Sequence, residues 1–264
     1  MYICSEKCIS RVICRLSPHY VIITRMLKKT RMIILRIVRY ADSKVIVDAY
    51  TETDGRVSFA VVLSSKGKMK RQLFQPLMLL EAECDIKANA QLHRLREVRM
   101  LSPMVSLHSD MSKMGIVMFL SETLSRILPP LNPLPGLFYY IYNGIEWLEK
   151  ASAGYANFHL VFLVHLTRFL GVFPDLSSYS NGALFDMRNS CFVSSSPAHG
   201  DILSPAEAHV MLSLMRCGYH SMHLITMSAI QRQAVLEHII RYYSLHIVDL
   251  TNLKTLTVLH HLYR

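Results

Sequence analysis

Thirteen histidines make metal binding and acid–base catalysis the first chemistry to consider. The closest pairs are His220 with His223 and His159 with His165. Neither pair has a third ligand at helical spacing, and the sequence contains no HExxH motif of the kind that places two histidines on one helix face around zinc. We therefore expect these histidines to have structural or surface roles.

The cysteine pattern indicates a reducing compartment. Of six cysteines, three fall in the first 14 residues and no two form a CxxC pair: Cys4, Cys8, Cys14, Cys84, Cys191 and Cys217. This spacing suits neither a zinc framework nor a disulfide framework, so a cytoplasmic protein is expected. Cys191 and His199 would supply only two of the four ligands that a structural zinc needs.

Motifs for enzymatic chemistry are also missing from the sequence. There is no GxGxxG or GxxxxGK[ST] phosphate loop and no GxSxG nucleophile elbow. Glu81 and Glu83 would share one side of a strand, but no acid–base partner accompanies them. We assign no catalytic residue and expect a protein that is not an enzyme.

The basic residues form a clearer pattern. The formal net charge is +10, and the distribution is uneven: residues 1–25 carry four basic residues and one acidic, residues 26–100 carry 15 and 8, and residues 101–264 carry ten of each. The whole excess lies in the first 100 residues, which predicts a front half that binds a polyanion and a neutral back half. The alternative is a solvated basic face that only aids solubility.

The candidate phosphate-binding cations fall on predicted strands, on the approach to the first strand and on one predicted loop. They are Lys28, Lys29, Arg31, Arg36, Arg39, Arg56, Lys66, Lys68, Lys70, Arg71, Arg94 and Arg96. Arg56 follows an Asp-Gly turn, where a structural role is also possible. Four aromatic residues could stack on bases, although Phe59 and Phe74 are of a type more often found in a core: Tyr40, Tyr50, Phe59 and Phe74.

The elements that would position these cations are short strands. Apolar and β-branched runs predict five of them, at Met32–Tyr40, Lys44–Tyr50, Arg56–Leu63, Leu73–Glu83 and Gln91–Val98. Asp54-Gly55 predicts a hairpin turn, and Ser64–Arg71 predicts a cationic loop. Five strands in about 70 residues favour a small Greek-key barrel over an open sheet with two edges to protect.

After Pro103 the apolar period becomes helical. Predicted helices cover Met111–Leu128, Leu137–Lys150, Tyr155–Leu170, Pro205–Arg216, Ala229–His246 and Leu253–Leu262. Residues 174–203 form a Ser/Asn/Gly-rich insertion in which Ala183–Asp186 and Ser190–Val193 resemble strands. The most apolar stretch, Phe158–Phe173, contains two histidines and an arginine, so a membrane span is not expected.

These elements predict an α+β protein with two folded parts. A barrel would occupy residues 26–102, and a helical domain with the small insertion at about 174–203 would occupy residues 103–264. Residues 1–25 fit neither period and lack the apolar region of a signal peptide. We expect them to form a loosely ordered extension ahead of Met26.

Several segments, in order, resemble one bacterial family. Residues 40–56 read YADSKVIVDAYTETDGR and residues 73–81 read LFQPLMLLE. In the back half the matching segments are NFHLVFL at 157–163, RFLG at 168–171, PDL at 174–176, the Ser204-Pro205 cap and LKTLTVL at 253–259. Together they resemble the DNA repair family RecO from Met26 to about Leu262.

The resemblance implies a five-stranded OB-fold barrel followed by a helical domain. It also implies sequence-independent binding of single- and double-stranded DNA, strand annealing, and loading of RecA onto DNA coated by single-strand binding protein (SSB). The implied partners are RecR, the SSB C-terminal tail and in some members RecF, in the cytoplasm at the nucleoid. Arg126 or Arg168 beside an apolar groove would be candidates to receive the acidic SSB tail.

One departure from the family concerns zinc. Many members carry a four-cysteine module after the central helix, whereas residues 174–203 here contain only Cys191. The sequence is similar to the zinc-free variant of Bacteroidetes, and we predict no structural metal and no cofactor. Two alternatives to the mediator remain: a non-enzymatic scaffold whose basic barrel binds an acidic protein, and a hydrolase that uses His159 and His165.

Overall fold

The computed structural model describes residues 26–64, 69–86 and 90–262. The predicted extension 1–25, with Cys4, Cys8 and Cys14, lies outside these described residues, as do Lys66 and Lys68 of the predicted cationic loop. The described chain begins with strands and continues with helices, in the order predicted.

Five strands form a closed barrel. They are β1 (Met26–Arg39), β2 (Lys44–Thr51), β3 (Gly55–Val62), β4 (Leu79–Ile86) and β5 (His93–Met100), arranged in the order β1-β2-β3-β5-β4. Neighbouring strands pair antiparallel except β3 and β5. These two form a short parallel pairing in which Phe59 lies beside His93 and Ala60 beside Arg94, and this pairing closes the barrel. The prediction of a five-stranded barrel is confirmed.

The predicted start of the fourth strand is wrong. Residues Arg71–Phe74 form a short 3₁₀ helix, and β4 begins only at Leu79. Pro76 has no N–H to donate to a ladder, and Leu77 takes a positive φ of 58°, so the chain bends here. The backbone then joins β1 through hydrogen bonds from Leu77 N to the Ile34 carbonyl and from Ile34 N to the Met78 carbonyl.

Strand β1 is apolar on both faces for a structural reason. Met32, Ile33, Ile34 and Leu35 are all buried, because one face lines the barrel core and the other meets the helical part of the chain. The helix that packs there donates a hydrogen bond from the Ser121 hydroxyl to the Leu35 carbonyl. A strand that alternates imperfectly thus marks the contact between the two halves.

Seven α-helices follow the barrel in the described part of the chain. They are α1 (Val105–Ser109), α2 (Met111–Ile127), α3 (Leu137–Lys150), α4 (Phe158–Leu166), α5 (Pro205–Arg216), α6 (Ala229–His246) and α7 (Lys254–Leu262). Two of these helices begin with a capping box: Ser204 with Glu207 opens α5, and Ser228 with Gln231 opens α6.

Helix α4 is shorter than the predicted Tyr155–Leu170. At its start, the amide nitrogen of Asn157 donates to the Met222 and Ile225 carbonyls, so this side chain ties down a distant loop and does not cap the helix. After the helix ends, the chain continues in turns to Gly171, which has a φ of +76°. The next residue, Val172, donates its backbone N–H to the Thr167 carbonyl.

The insertion contains three short strands where two were predicted. They are β6 (Leu184–Asp186), β7 (Cys191–Val193) and β8 (Ile202–Leu203), in the order β7-β6-β8. Phe185 and Leu203 are opposite each other across β6 and β8, and both are buried. A two-residue strand such as β8 has too little sequence pattern to be recognised before its partner is known.

Candidate nucleic-acid interface

Most of the predicted phosphate-binding cations on the barrel strands face a carboxylate of the protein itself. Four of them form salt bridges with N–O distances of 2.5 to 3.3 Å: Lys28 with Asp54, Lys29 with Glu81, Arg36 with Asp48 and Arg96 with Asp85. A nearby carboxylate offsets much of the field that a cation directs toward solvent. The strands are therefore less positive than their basic residues alone suggest.

Arg31 is held between the two halves of the chain. Its Nε and Nη2 atoms each donate to the Glu52 carboxylate at 2.8 Å, and Nη2 also donates to the Tyr139 hydroxyl at 2.9 Å. The guanidinium lies 5.1 Å from the centroid of the Tyr139 ring, within range of a cation–π interaction. The bond to Arg31 lowers the pKa of Glu52. Arg31 therefore joins the barrel to α3.

Arg56 also lies at this junction. Its Nε atom donates to the Leu128 carbonyl at 2.9 Å, and its own carbonyl accepts from Leu131 N at 3.0 Å. The preceding Gly55 has a φ of +69°, as the predicted Asp-Gly turn requires, and a Cβ there would stand 2.6 Å from the backbone of Asn132. The hairpin tip is thus packed against the segment between α2 and α3.

An open groove of about 970 Å³ lies at one end of the barrel. One wall is the turn between β1 and β2, where Asp42 and Ser43 line it, and the other is the segment before β4. Lys70 and Arg71 line this second wall, and neither forms a salt bridge with any described residue. The groove therefore combines two cations without a carboxylate partner in one concave surface.

Arg39 contacts the turn that forms one wall of the groove. Arg39 donates to the Ala41 and Asp42 carbonyls at 3.3 and 3.1 Å, so it braces the turn between β1 and β2. Ser64 lines the groove and donates its backbone N–H to the Met69 carbonyl at 3.0 Å. Lys66 and Lys68 come between these two residues in the chain but lie outside the described part.

Sequence reasoning missed Lys44. This residue is exposed at the first position of β2, and the preceding Ser43 lines the groove. The signal that could have found it is its place directly after the polar turn Ala41–Ser43, at the end of the barrel where the cationic loop also falls.

Arg94 and Arg96 are both exposed on β5 and occupy alternate positions, so they share one face. Arg96 donates to Asp85 at 3.3 Å, whereas Arg94 has no salt-bridge partner among the described residues. Neither residue lines the groove. The structure brings Lys70 and Arg71 together there and places the strand cations elsewhere on the barrel.

The two arginines predicted for partner binding both anchor neighbouring elements. Arg126 pairs with Glu122 at 2.9 Å and donates to the Asn252 carbonyl at 2.7 Å, which ties α2 to the segment before α7. The guanidinium of Arg168 lies 4.1 Å from the Phe173 ring centroid, and its Nη2 donates to the Met215 carbonyl at 3.4 Å. These contacts leave the prediction of partner binding untested.

The residues considered for catalysis have packing partners. His159 is buried with its ring edge-on to Phe119. His165 is within 3.1 Å of the Leu214 carbonyl, and burial lowers its pKa. Glu81 pairs with both Lys29 and Arg99 on the barrel surface.

Polar side chains cross-link the insertion. The Asp201 carboxylate accepts from Arg188 of the insertion and Arg241 of α6, at 2.6 and 2.8 Å, and these bonds lower its pKa to about 2. His199 lies 3.4 Å from Asp186 on β6. Among the residues that the structure describes, no three His, Cys, Asp or Glu side chains come together as a possible metal site.

Comparison with family models decides the assignment. The model "Recombination protein O N terminal" matches residues 26–104, which contain the barrel, and "Recombination protein O C terminal" matches residues 108–256. The chain belongs to the recombination protein O (RecO) family. The predicted family is therefore confirmed, and the OB-fold barrel described above is its N-terminal domain.

Individual relatives agree with the RecO assignment. The chain is 43% identical to "DNA repair protein RecO" of Phocaeicola vulgatus over 213 residues, which is 80% of this chain and 88% of that protein. It is 42% identical to the Bacteroides fragilis protein of the same name, over 82% of this chain and 91% of the relative. A relative from Flavobacterium psychrophilum is 31% identical over 81% of this chain and 90% of the relative. In the described part of this RecO-family chain, no helix is both long and apolar enough to cross a bilayer.

Proposed function

We propose that this RecO-family chain is a non-enzymatic mediator of DNA repair and homologous recombination. It binds single- and double-stranded DNA without sequence specificity, anneals complementary strands, and with RecR helps load RecA onto DNA coated by SSB. The observation that carries the proposal is the groove at the end of the OB-fold barrel, where Lys70 and Arg71 have no carboxylate partner among the described residues. The names of the relatives support it.

The groove can hold a DNA backbone by charge. Phosphates that approach Lys70 and Arg71 release condensed counterions, so affinity falls as salt concentration rises. Lys66 and Lys68 precede these two residues in the sequence, and we propose that they add to the charge that DNA meets. The described barrel and its loops place no helix in a position to read base edges in a major groove. Two strands neutralised on one protein repel each other less, and base pairing between them can then begin.

The strand cations take a secondary part in this proposal. Lys29, Arg36 and Arg39 have side chains that are more than half exposed and can reach DNA that extends beyond the groove. Their carboxylate partners reduce the net charge that a phosphate meets. We therefore rank them below Lys70 and Arg71 as sources of affinity.

The neutral helical half is proposed to bind protein partners. RecR and the SSB tail are the main ones, and RecF is a further one. Exposed methionines recur along α2 at positions 111, 114 and 118, and Arg126 follows two turns later on the same helix. An apolar stripe with a basic residue near its end is chemically suited to an acidic, apolar-ended peptide. We place this activity in the cytoplasm, at the nucleoid.

A DNA titration tests the proposal. Labelled single-stranded DNA is titrated at low and high salt with the full chain, with Lys70→Glu/Arg71→Glu, and with Lys150→Glu as a control. Lys150 is an exposed cation of α3 in a weak surface pair with Glu146. We expect micromolar or tighter binding that weakens with salt, a loss of about tenfold or more in the double variant for all sequences alike, and no change in the control.

Two outcomes would contradict the proposal. Absence of binding at low salt would reject DNA as the ligand and would favour the scaffold whose barrel binds an acidic protein. Loss of binding to one sequence only would reject recognition through phosphates, because a phosphate contact carries no sequence information.

A further inference from the structure

The barrel exposes one aromatic ring. Its sequence from residue 26 to 102 contains four Tyr, Phe or Trp residues, and Tyr50, Phe59 and Phe74 are at most 1% exposed. Tyr40, in contrast, is 56% exposed. The other three rings are buried, so packing alone explains why the sequence has them. Tyr40 is more than half exposed and has no such explanation in the described fold.

Tyr40 stands on a turn that the fold holds in place. Its backbone N–H and that of Ala41 both donate to the Lys44 carbonyl, at 3.2 and 3.3 Å, and the Arg39 guanidinium binds two carbonyls of the same turn. The ring of Tyr40 makes no hydrogen bond or ring contact with any described residue. The backbone is thus fixed while the ring stays free to contact a ligand.

The turn that carries Tyr40 is also a wall of the groove. Asp42 and Ser43, two and three residues after it, line the same groove as Lys70 and Arg71. Ile37, Leu63, Phe74 and Pro76 supply the apolar part of the lining. Cations for phosphates, an apolar lining and an exposed ring on the turn that forms one wall are together a combination suited to single strands, since only unpaired bases offer their faces for stacking.

We propose that Tyr40 stacks on an unpaired base of a strand whose phosphates lie along Lys70 and Arg71. This contact makes the groove prefer single-stranded over double-stranded DNA. The inference rests on the proposed function, because it names the form of DNA that the same groove selects. A duplex would keep its bases stacked inside the helix and could use only the cations.

The test compares single-stranded and duplex DNA of equal length at one salt concentration. The full chain, Tyr40→Ala, Tyr40→Phe and the control Ile230→Ala are titrated with each, and the single strand carries 2-aminopurine, whose fluorescence falls on stacking. Ile230 is an exposed apolar residue of α6, 81% exposed and outside the barrel. Thermal unfolding verifies that each variant folds.

We expect Tyr40→Ala to weaken single-strand binding about tenfold, to leave duplex binding within about twofold, and to abolish quenching of 2-aminopurine. Tyr40→Phe keeps the ring and should bind as the unchanged chain does, as should Ile230→Ala. An equal loss for both DNA forms, or no loss for either, would overturn stacking by Tyr40 while DNA binding by the barrel still stands. Failure of the unchanged chain to bind either DNA would overturn the proposed function itself.

Discussion

Arg31 of β1 and Glu52, in the turn after β2, form a two-point ion pair with both N–O distances at 2.8 Å. The Tyr139 hydroxyl of α3 donates to the same carboxylate at 2.6 Å and accepts from Arg31. Parallel hydrogen bonds between a guanidinium and a carboxylate fix orientation as well as distance. The pair therefore orients the barrel relative to the first long helix that follows α2.

Removing this pair should uncouple two parts of the fold. A double-mutant cycle with Arg31→Ala and Glu52→Ala, read by urea unfolding at pH 7, should give a coupling of about 1 kcal/mol, as expected for a partly exposed bidentate pair. The folded-state pKa of Glu52 is lowered, so its contribution is present above the unfolded value of about 4.3 and is lost as pH falls below it. A coupling that is equally large at pH 3 would contradict this assignment.

Gly55 should tolerate no side chain. Gly55→Ala combines a φ of +69° with a Cβ 2.6 Å from the Asn132 backbone, and we expect a loss of about 2 kcal/mol or more in unfolding free energy. Gly182→Ala is the matched control, because Gly182 has a φ of +79° but no atom within 4 Å of its Cβ position. Chemical denaturation of both variants separates the steric clash with Asn132 from the cost of the positive φ. Equal losses of unfolding free energy in the two variants would show that the structure relieves the clash.

The paired and unpaired cations should differ in salt dependence. Arg71→Gln should reduce the slope of log Kd against log salt by about 1, since one phosphate contact is lost. Lys29→Gln should change it much less, because Glu81 already offsets this charge at 3.1 Å. Fluorescence anisotropy at four salt concentrations measures both slopes. If Lys29→Gln has the larger effect, the main DNA path follows the strands and not the groove.

Asp201 should stabilise the insertion at neutral pH. Its folded-state pKa of about 2 lies below the unfolded value near 3.9, so its contribution is complete above about pH 4 and is lost as pH falls toward 2. Asp201→Asn should lower the unfolding free energy at pH 7, and its difference from the unchanged chain should shrink as the pH approaches 2. A difference that does not depend on pH between 7 and 2 would argue against the carboxylate as the source.

The chain should fold without zinc. Elemental analysis of protein purified without chelator is expected to find well under one zinc per chain, and EDTA should leave the thermal midpoint unchanged. About one zinc per chain, with a midpoint that falls on chelation, would contradict the prediction that the insertion is held by contacts such as those of Asp201 with Arg188 and Arg241.

Much of the fold could be predicted because its signals are local. A helix start depends on a few adjacent residues, so Ser204-Pro205 and Ser228 located α5 and α6 to the residue. The Asp-Gly turn likewise located the tip of the hairpin. The fourth strand was misplaced because the apolar run from Leu73 continues into β4, and only the bend at Pro76 and Leu77 separates the two.

The candidate site was less predictable because it depends on distant partners. The sequence shows that Lys29 is basic, but its pairing with Glu81 follows from the register of β1 against β4, which joins residues about 50 positions apart. The same holds for Arg31 with Tyr139 and for Arg56 with Leu128. Composition therefore predicts the total charge of the barrel, while only the fold shows which cations remain unpaired.

The packing of the hairpin tip against the segment between α2 and α3 has a consequence for how the protein handles DNA. Gly55 and Arg56 contact the segment 128–132. That segment connects α2, the helix that packs on the barrel, to α3. These contacts tie the barrel to the segment that follows α2. Under the proposed function, they would hold a strand in the groove and a partner on α2 at a fixed separation, so that a rearrangement would have to come from the DNA or the partner.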